Sequence, residues 1–205
     1  PELGNQGRRT QGEMTMGLQL ITAADDYPVS LAAAKLHLRI DGTAEDANVS
    51  SLIGRGTGYA QKQTGRALVS QQWRLVLDCF PSGAIKLPLP PLVSVESITY
   101  MDEAGALQTL DPADYLVNPY GIVGEVTPAY GKCWPATRKQ AMAVKVAFTC
   151  GYGDADSVPE EIKGAILLMV GHLDQNREAT GEKALESVPM GVDALLSAYV
   201  VPVIA

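Results

Sequence analysis

Apolar residues repeat along this 205-residue chain with two different periods. Near the start the period is helical. In "SLAAAKLHLR" (30–39), Leu31, Ala34 and Leu38 fall on one face at i, i+3 and i+7. Ser30 precedes them as an N-cap whose hydroxyl can accept a free backbone N–H, and Asp41-Gly42 ends the run. A second helix is predicted over 43–64, with Thr43 and Asp46 at its start and an apolar stripe of Val49, Leu52, Ile53 and Ala60. Gly54, Gly56 and Gly58 interrupt that stripe, each costing roughly 1 kcal/mol relative to Ala. Two readings are open here: Gly54 and Gly58 share a face and admit a close neighbour, or the helix kinks or stops.

From 70 to 150 the period falls to two. "WRLVLD" places Trp73, Leu75 and Leu77 on one side, and "AVKVAFT" does the same with Val144, Val146 and Phe148. In "IKLPLPPLVSVESITYMDEAG" (85–105), Pro88, Pro90 and Pro91 predict an extended, non-donating lead-in at a sheet edge. Val93 and Val95 then sit out of phase with Ile98 and Tyr100, which predicts a bulge or burial on both faces. "MDEAG" turns the chain at Gly105 into a hairpin with "ALQTL".

The helical period returns in "SVPEEIKGAILLMVGHLDQNRE". Pro159, Glu160 and Glu161 suit a first turn, and Ile162, Ala165, Ile166, Met169, Val170 and Leu173 form one broad face, that of the central core helix. A polar loop and a short helix, "VDALLSAY", follow. The fold class expected is α+β: a small bundle of about four helices (28–66 and 158–199) carrying a β-rich insertion (70–150). Residues 18–199 form one domain in this reading. Residues 1–17, polar and Gly-rich, are expected to be a mobile arm, with Met14 or Met16 as alternative natural starts.

Composition narrows the function by exclusion. The formal net charge of −7 argues against a nucleic-acid-binding surface, which gathers Lys and Arg to displace counterions. Cys79, Cys133 and Cys150 form no C-x-x-C pair and read as small apolar residues in a reducing, cytosolic setting. "AILLMV" is far too short to span a bilayer. Gly131-Lys132 lacks the upstream glycine of a P-loop, and "GRGTGY" (54–59) lies inside a helix instead of following a strand. "GYGD" (151–154) reads as the turn between a strand and the long helix. His37 and His172 lie on different helices without metal-ligand spacing. Asp154 and Asp156 have the chemistry to bind a cation, but no EF-hand pattern follows, and they read as solvated loop charges. Trp134 in "GKCWPA" reads as a plug at one end of a sheet in preference to a binding aromatic. No catalytic constellation, cofactor or metal is expected.

One feature calls for a partner. "YVVPVIA" places Val200, Val201, Val203 and Ile204 where chains usually fray, and burying each is worth roughly 1.5–3 kcal/mol. Either the segment packs back on its own domain or it docks on a partner, and docking is the reading taken, with residues 200–205 as the docking tail.

In order along the chain, "VSLAAAKLHLRID", "TGRALVSQQW", "LPLPPLVSVESITYMDEAG", "GKCWP", "CGYGDADSVPEEIKGAILLMVGHLDQNRE" and "VPMGVDALLSAY" together resemble the head–tail connector (adaptor) proteins of long-tailed bacteriophages and of phage-derived gene transfer agents. The similarity covers about residues 28–199, and it is the combination of motifs that carries it. The chain departs from the family at Gly54, Gly56 and Gly58, where better helix formers are usual, and in the 1–17 arm.

The resemblance implies a structural, non-enzymatic virion protein, assembled in the host cytoplasm. It implies a ring, of twelve copies, between the portal and a head-closure (stopper) or tail protein, with genomic DNA passing through the lumen unbound and no membrane contact. A head-closure or tail-completion protein is the alternative, and a small enzyme using Asp154, Asp156 or His172 a more distant one. The portal contact is placed on Leu195, Leu196, Tyr199, Val200, Val201, Val203 and Ile204.

Overall fold

A computed structural model describes residues 16–176 and 190–202. Among these, the chain runs β1 (Met16–Thr22), α1 (Leu31–Leu38), α2 (Asp46–Thr64), β2 (Gln71–Leu77), β3 (Ile85–Leu87), β4 (Leu92–Met101), β5 (Leu107–Thr109), β6 (Tyr115–Asn118), β7 (Gly124–Pro128), β8 (Val144–Cys150), α3 (Glu160–Gln175) and α4 (Met190–Ser197). The fold is α+β, with the four helices flanking a β-rich insertion.

The helices start and stop as their sequences direct. Ser30 Oγ accepts from the Ala33 amide at 3.2 Å, and Arg39 closes α1 in the left-handed conformation, two residues before the expected Asp41-Gly42. Helix α2 begins three residues later than predicted, because Thr43 only accepts the Asp46 amide through its carbonyl. Its stripe of Val49, Leu52, Ile53 and Ala60 is buried against Ile162, Ala165, Ile166, Met169 and Val170 of α3 and Val192 and Leu196 of α4. This is the first of two cores.

The glycines of α2 neither kink nor end it. A Cβ at Gly56 would stand 3.3 Å from both Cγ2 and the carbonyl oxygen of Ile166, so this is the residue that lets α3 approach closely. The pair expected to do so has other neighbours: Gly54 faces the Tyr27 ring, and Gly58 faces open space.

The strands form two antiparallel sheets, built on the insertion with β1, from ahead of the helices, added at the edge of the larger. The larger has the order β1-β2-β8-β4-β5 and the smaller β3-β7-β6. Trp73, Leu75 and Leu77 pair in register with Phe148, Val146 and Val144. With Ile85, Leu87, Ile98 and Val126 these form the second core, in which Phe148 is fully buried. Two bulges in β4, between Leu92 and Ser94 and between Val95 and Ser97, absorb the phase change read in the sequence, so that Val95, Ile98 and Tyr100 all reach this core. Gly105 turns β4 into β5 with φ of 86°.

Three expectations change. The proline run is a corner between sheets: Ile85–Leu87 belongs to the small sheet, Leu92 opens β4 in the large one, and Leu89 between them takes φ of 62°. Met16 and Gly17, assigned to the arm, open edge strand β1; residues 1–15 lie outside the described residues, as does the stretch 177–189 on which the expected polar loop falls. Cys79 and Cys133 are exposed, so only Cys150 behaves as a small core residue, and burial pushes its thiol up to about 12.

Both ends of the insertion cross one junction. Tyr152 donates its amide to Leu68 O at 2.9 Å, Ser70 to Gly153 O at 2.7 Å, and Gly151 to Pro91 O at 2.9 Å. Gly151 has φ of 122°, and a Cβ there would lie 2.6 Å from Val69 O. Gly151→Ala is therefore expected to cost about 1–3 kcal/mol in urea unfolding. Gly58→Ala, in open space on a regular helix, should gain up to about 1 kcal/mol. Equal effects of the two substitutions would contradict this account of the junction.

Candidate assembly surfaces

Of the C-terminal residues chosen from the sequence, Tyr199 and Val201 are held by specific bonds. Tyr59 Oη donates to Asp193 at 2.9 Å, fixing α4 against α2. Beyond α4, Arg66 Nε donates to Tyr199 O at 2.6 Å, and Tyr199 Oη donates to Glu161 Oε2 at 2.8 Å. The Val201 amide then donates to Thr64 O at 2.8 Å, satisfying a carbonyl in the last turn of α2. The Val201 side chain covers Gly65, the left-handed C-cap of α2.

These positions divide sharply in exposure. Leu196 is fully buried in the helical core, which withdraws it from any partner surface while α4 stays packed. Leu195 and Tyr199 are half-buried against that same core, Val201 is half-buried over Gly65, and Val200 is exposed. Val203 and Ile204 lie outside the described residues. The alternative of packing back on the domain thus describes the segment as far as Val201, and the reason is unsatisfied backbone at the end of α2 together with the Arg66 guanidinium.

Two apolar surfaces escaped the sequence reading. On β1, Met16, Leu18 and Leu20 pair with Leu77, Leu75 and Trp73 and so continue the inner face of the large sheet, yet all three are exposed. Their period-two spacing in "MGLQLIT" was the available signal. The second surface is the β6–β7 hairpin, where Leu116, Tyr120 and Ile122 are exposed, as is Tyr130 just beyond it.

The residues weighed for chemistry do not converge. Asp154 Oδ1 accepts from the Ser157 hydroxyl at 2.6 Å and amide at 2.9 Å, an arrangement that shapes the turn into α3 and holds its carboxyl below the usual range. An open cleft of about 860 Å³ is lined by Asp25, Asp26, Asp154, Asp156, Glu160 and Lys163 among others. No group of three or more His, Cys, Asp or Glu placed to hold a metal occurs among the described residues. His37 is exposed on α1, and His172 lies beside Asn176 at the end of α3. Trp134 is a packing residue, stacked on Phe80 with ring centroids 4.9 Å apart and donating Nε1 to Gly83 O at 2.9 Å. No helix among the described residues is long and apolar enough to cross a membrane.

Two measurements test the C-terminal tether. Arg66→Ala should speed amide exchange at Val201 roughly fivefold, the equivalent of about 1 kcal/mol for a partly exposed hydrogen bond. The Glu161 carboxyl lies below its ordinary value because backbone N–H at the start of α3, and then Tyr199, donate to it. Its contribution to stability is therefore present above the unfolded-state value and lost as pH falls through the folded one. Tyr199→Phe should raise the Glu161 value part of the way back and flatten that acid-side loss, as read by carboxyl-carbon NMR titration.

No protein-family model matches the chain, and comparison with curated proteins finds no match. Solved structures do match its fold. A chain in the neck of an empty GTA particle, computed with C6 symmetry, superimposes with a TM-score of 0.78 at 23% identity, covering 92% of this chain and 97% of that one. A chain in the virion of a native gene transfer agent (GTA) particle gives 0.75 at 24%, and one in the neck of a native GTA particle, computed with C12 symmetry, gives 0.75 at 21%, with the same coverage. The chain thus has the fold of chains found in gene transfer agent particles.

Proposed function

We propose that this chain is a structural protein of a virion neck, an adaptor that forms a ring between a portal and a head-closure or tail protein. The observation that carries this reading is the likeness to chains of GTA neck and virion particles over 92% of this chain. It coincides with the resemblance of the sequence motifs to head–tail connectors. One of those necks is computed with C12 symmetry, which supports a ring of twelve. The role assigned is mechanical, with no catalytic step.

A ring needs two different surfaces on each subunit that meet head to tail and close after a full turn. The long helices α2 and α3 are assigned to the ring contacts. The β insertion, with its exposed Leu116, Tyr120 and Ile122, is assigned to the outside of the ring or to the tail side. A net charge of −7 suits a subunit beside a DNA channel, since like charge limits adhesion of the passing duplex. Such a ring would sit at the junction of capsid and tail after assembly in the host cytoplasm.

The portal contact is assigned to the C-terminal segment: Leu195, Tyr199, Val200, Val201, Val203 and Ile204. Leu196 is left out because it is buried in the subunit itself. The ties to Thr64 and Arg66 mean that a portal must bind Tyr199–Val201 as they lie or displace them.

Purified chain added to assembled portal rings should saturate at one copy per portal subunit by native mass spectrometry. Deletion of residues 200–205 should abolish that binding while the circular dichroism of the helices is kept. Unchanged binding by the deletion would remove the tail from the contact. No binding by the folded full-length chain would remove the adaptor role in favour of a head-closure or tail-completion position.

A further inference from the structure

A groove of about 310 Å³ opens between the two sheets. Leu75 and Leu77 of β2 form one wall and Ile85 and Leu87 of β3 another, and Met16 and Val123 also line it. The lining is almost entirely apolar, with Lys86 the one charged residue among the described residues there. Water in such a site gains few hydrogen bonds, so an apolar occupant is favoured. A cavity of ~150 Å³ holds benzene, so this groove has room for one aromatic ring and one branched aliphatic side chain. From it the exposed stripe of Met16, Leu18 and Leu20 continues the apolar surface along β1.

The same sheet carries a matching knob. The turn joining β6 to β7 reads "NPYGIVG" (118–124), and in it Tyr120 is 95% exposed and Ile122 56%. This turn has a defined shape. The Tyr120 amide donates to Asn118 Oδ1 at 3.1 Å, and a Cβ at Gly121 would stand 2.8 Å from the Val123 carbonyl oxygen. An apolar tip that is already ordered loses little freedom when it docks. It does not fill the groove of its own subunit, because Val123 lines that groove while the Tyr120 ring stays in solvent. Each copy therefore has an apolar hole and, separately, an apolar knob.

We infer that Tyr120 and Ile122 of one copy seat in the groove between the sheets of a second copy. The inference deepens the ring reading and rests on it for the head-to-tail arrangement. Knob and hole are two different surfaces, so the contact repeats from copy to copy and closes when the rotation per subunit divides a full turn. It runs along the insertion, on the outside of the ring, in addition to the contacts of α2 and α3. Tyrosine suits the place because its apolar body fills the groove while Lys86 can donate to its hydroxyl. A buried aromatic side chain covers roughly 150–250 Å². A standard interface takes about 800 Å² from each partner, so the β1 stripe and the helices must supply the rest and the tip alone binds weakly.

The test uses the full-length chain without portal. Chain labelled at its Ile, Leu and Val methyls is mixed with unlabelled chain at about 1 mM, where even a weak contact is populated. Isotope-filtered spectra should show nuclear Overhauser contacts from the Tyr120 ring of the unlabelled chain to Leu75, Leu77, Ile85 and Leu87 of the labelled one. Ala84→Trp in the labelled chain, which fills the groove from a half-buried lining position, should remove them while the Val144 and Val146 methyls keep their shifts. In sedimentation, Tyr120→Asp should weaken self-association roughly 30-fold, as loss of a buried aromatic anchor does. Tyr120→Asp chain mixed with Ala84→Trp chain should form pairs and nothing larger, since one keeps the hole and the other the knob. Absence of contacts between chains would overturn the proposal, as would contacts indifferent to Ala84→Trp or a mixture that grows beyond pairs. Each of those results leaves the adaptor role to its own test on portal rings. A chain that makes the contacts and ignores the portal would keep this inference and lose that role.

Discussion

An insertion can interrupt a helical bundle only if its two ends lie side by side, and here that requirement is met at one glycine. The chain leaves α2 through Leu68, Val69 and Ser70 and returns through Gly151, Tyr152 and Gly153, with backbone hydrogen bonds joining the two crossings. Gln71 and Cys150, the first and last residues of the insertion's strands, are paired in register. The approach at Gly151 leaves no room for a side chain between it and Val69 O. Everything downstream depends on this closure, since it sets β2 beside β8 and thereby the register of the large sheet's central pair.

From that closure the two cores follow as separate packing problems. The helical core is organised by the close approach of α3 to Gly56, which lets Ile162, Ile166 and Val170 reach the stripe of α2. The β core is organised by the central strand β8, whose Val144, Val146 and Phe148 are fully buried between β2 and β4. Buried surface in each is ample, and among the described residues the chain passes between them at the junction, between β1 and α1, and along the segment that follows α4. Arg66, Tyr199 and Val201 carry the hydrogen bonds that tie the segment after α4 to the end of α2 and to the start of α3.

The surface of the molecule divides by chemistry. Asp102 and Asp154 order surface turns, Asp102 by accepting from the Ala106 amide and Asp154 from Ser157. Exposed apolar side chains gather at edges and loops, on β1 and on the β6–β7 hairpin. Exposed apolar residues in such positions are a usual mark of interaction surfaces.

The sequence by itself determined what depends on local geometry and period. The long amphipathic α3, the stripe of α2, the Ser30 cap, the alternation in β2 and β8 and the turn at Gly105 were all legible, because a hydrophobic period or a capping side chain acts within one or two turns of chain. Even the bulges of β4 were marked by a phase slip between Val95 and Ile98. What only the tertiary structure decided is which surfaces meet. Gly56, not Gly54 with Gly58, admits α3, since the choice depends on where Ile166 stands. The prolines turn a corner between two sheets because Ile85–Leu87 finds its partner forty residues on, in β7. Leu196 is core and Val200 is surface, though both are apolar residues of one short segment, because burial is a property of the neighbour and not of the side chain.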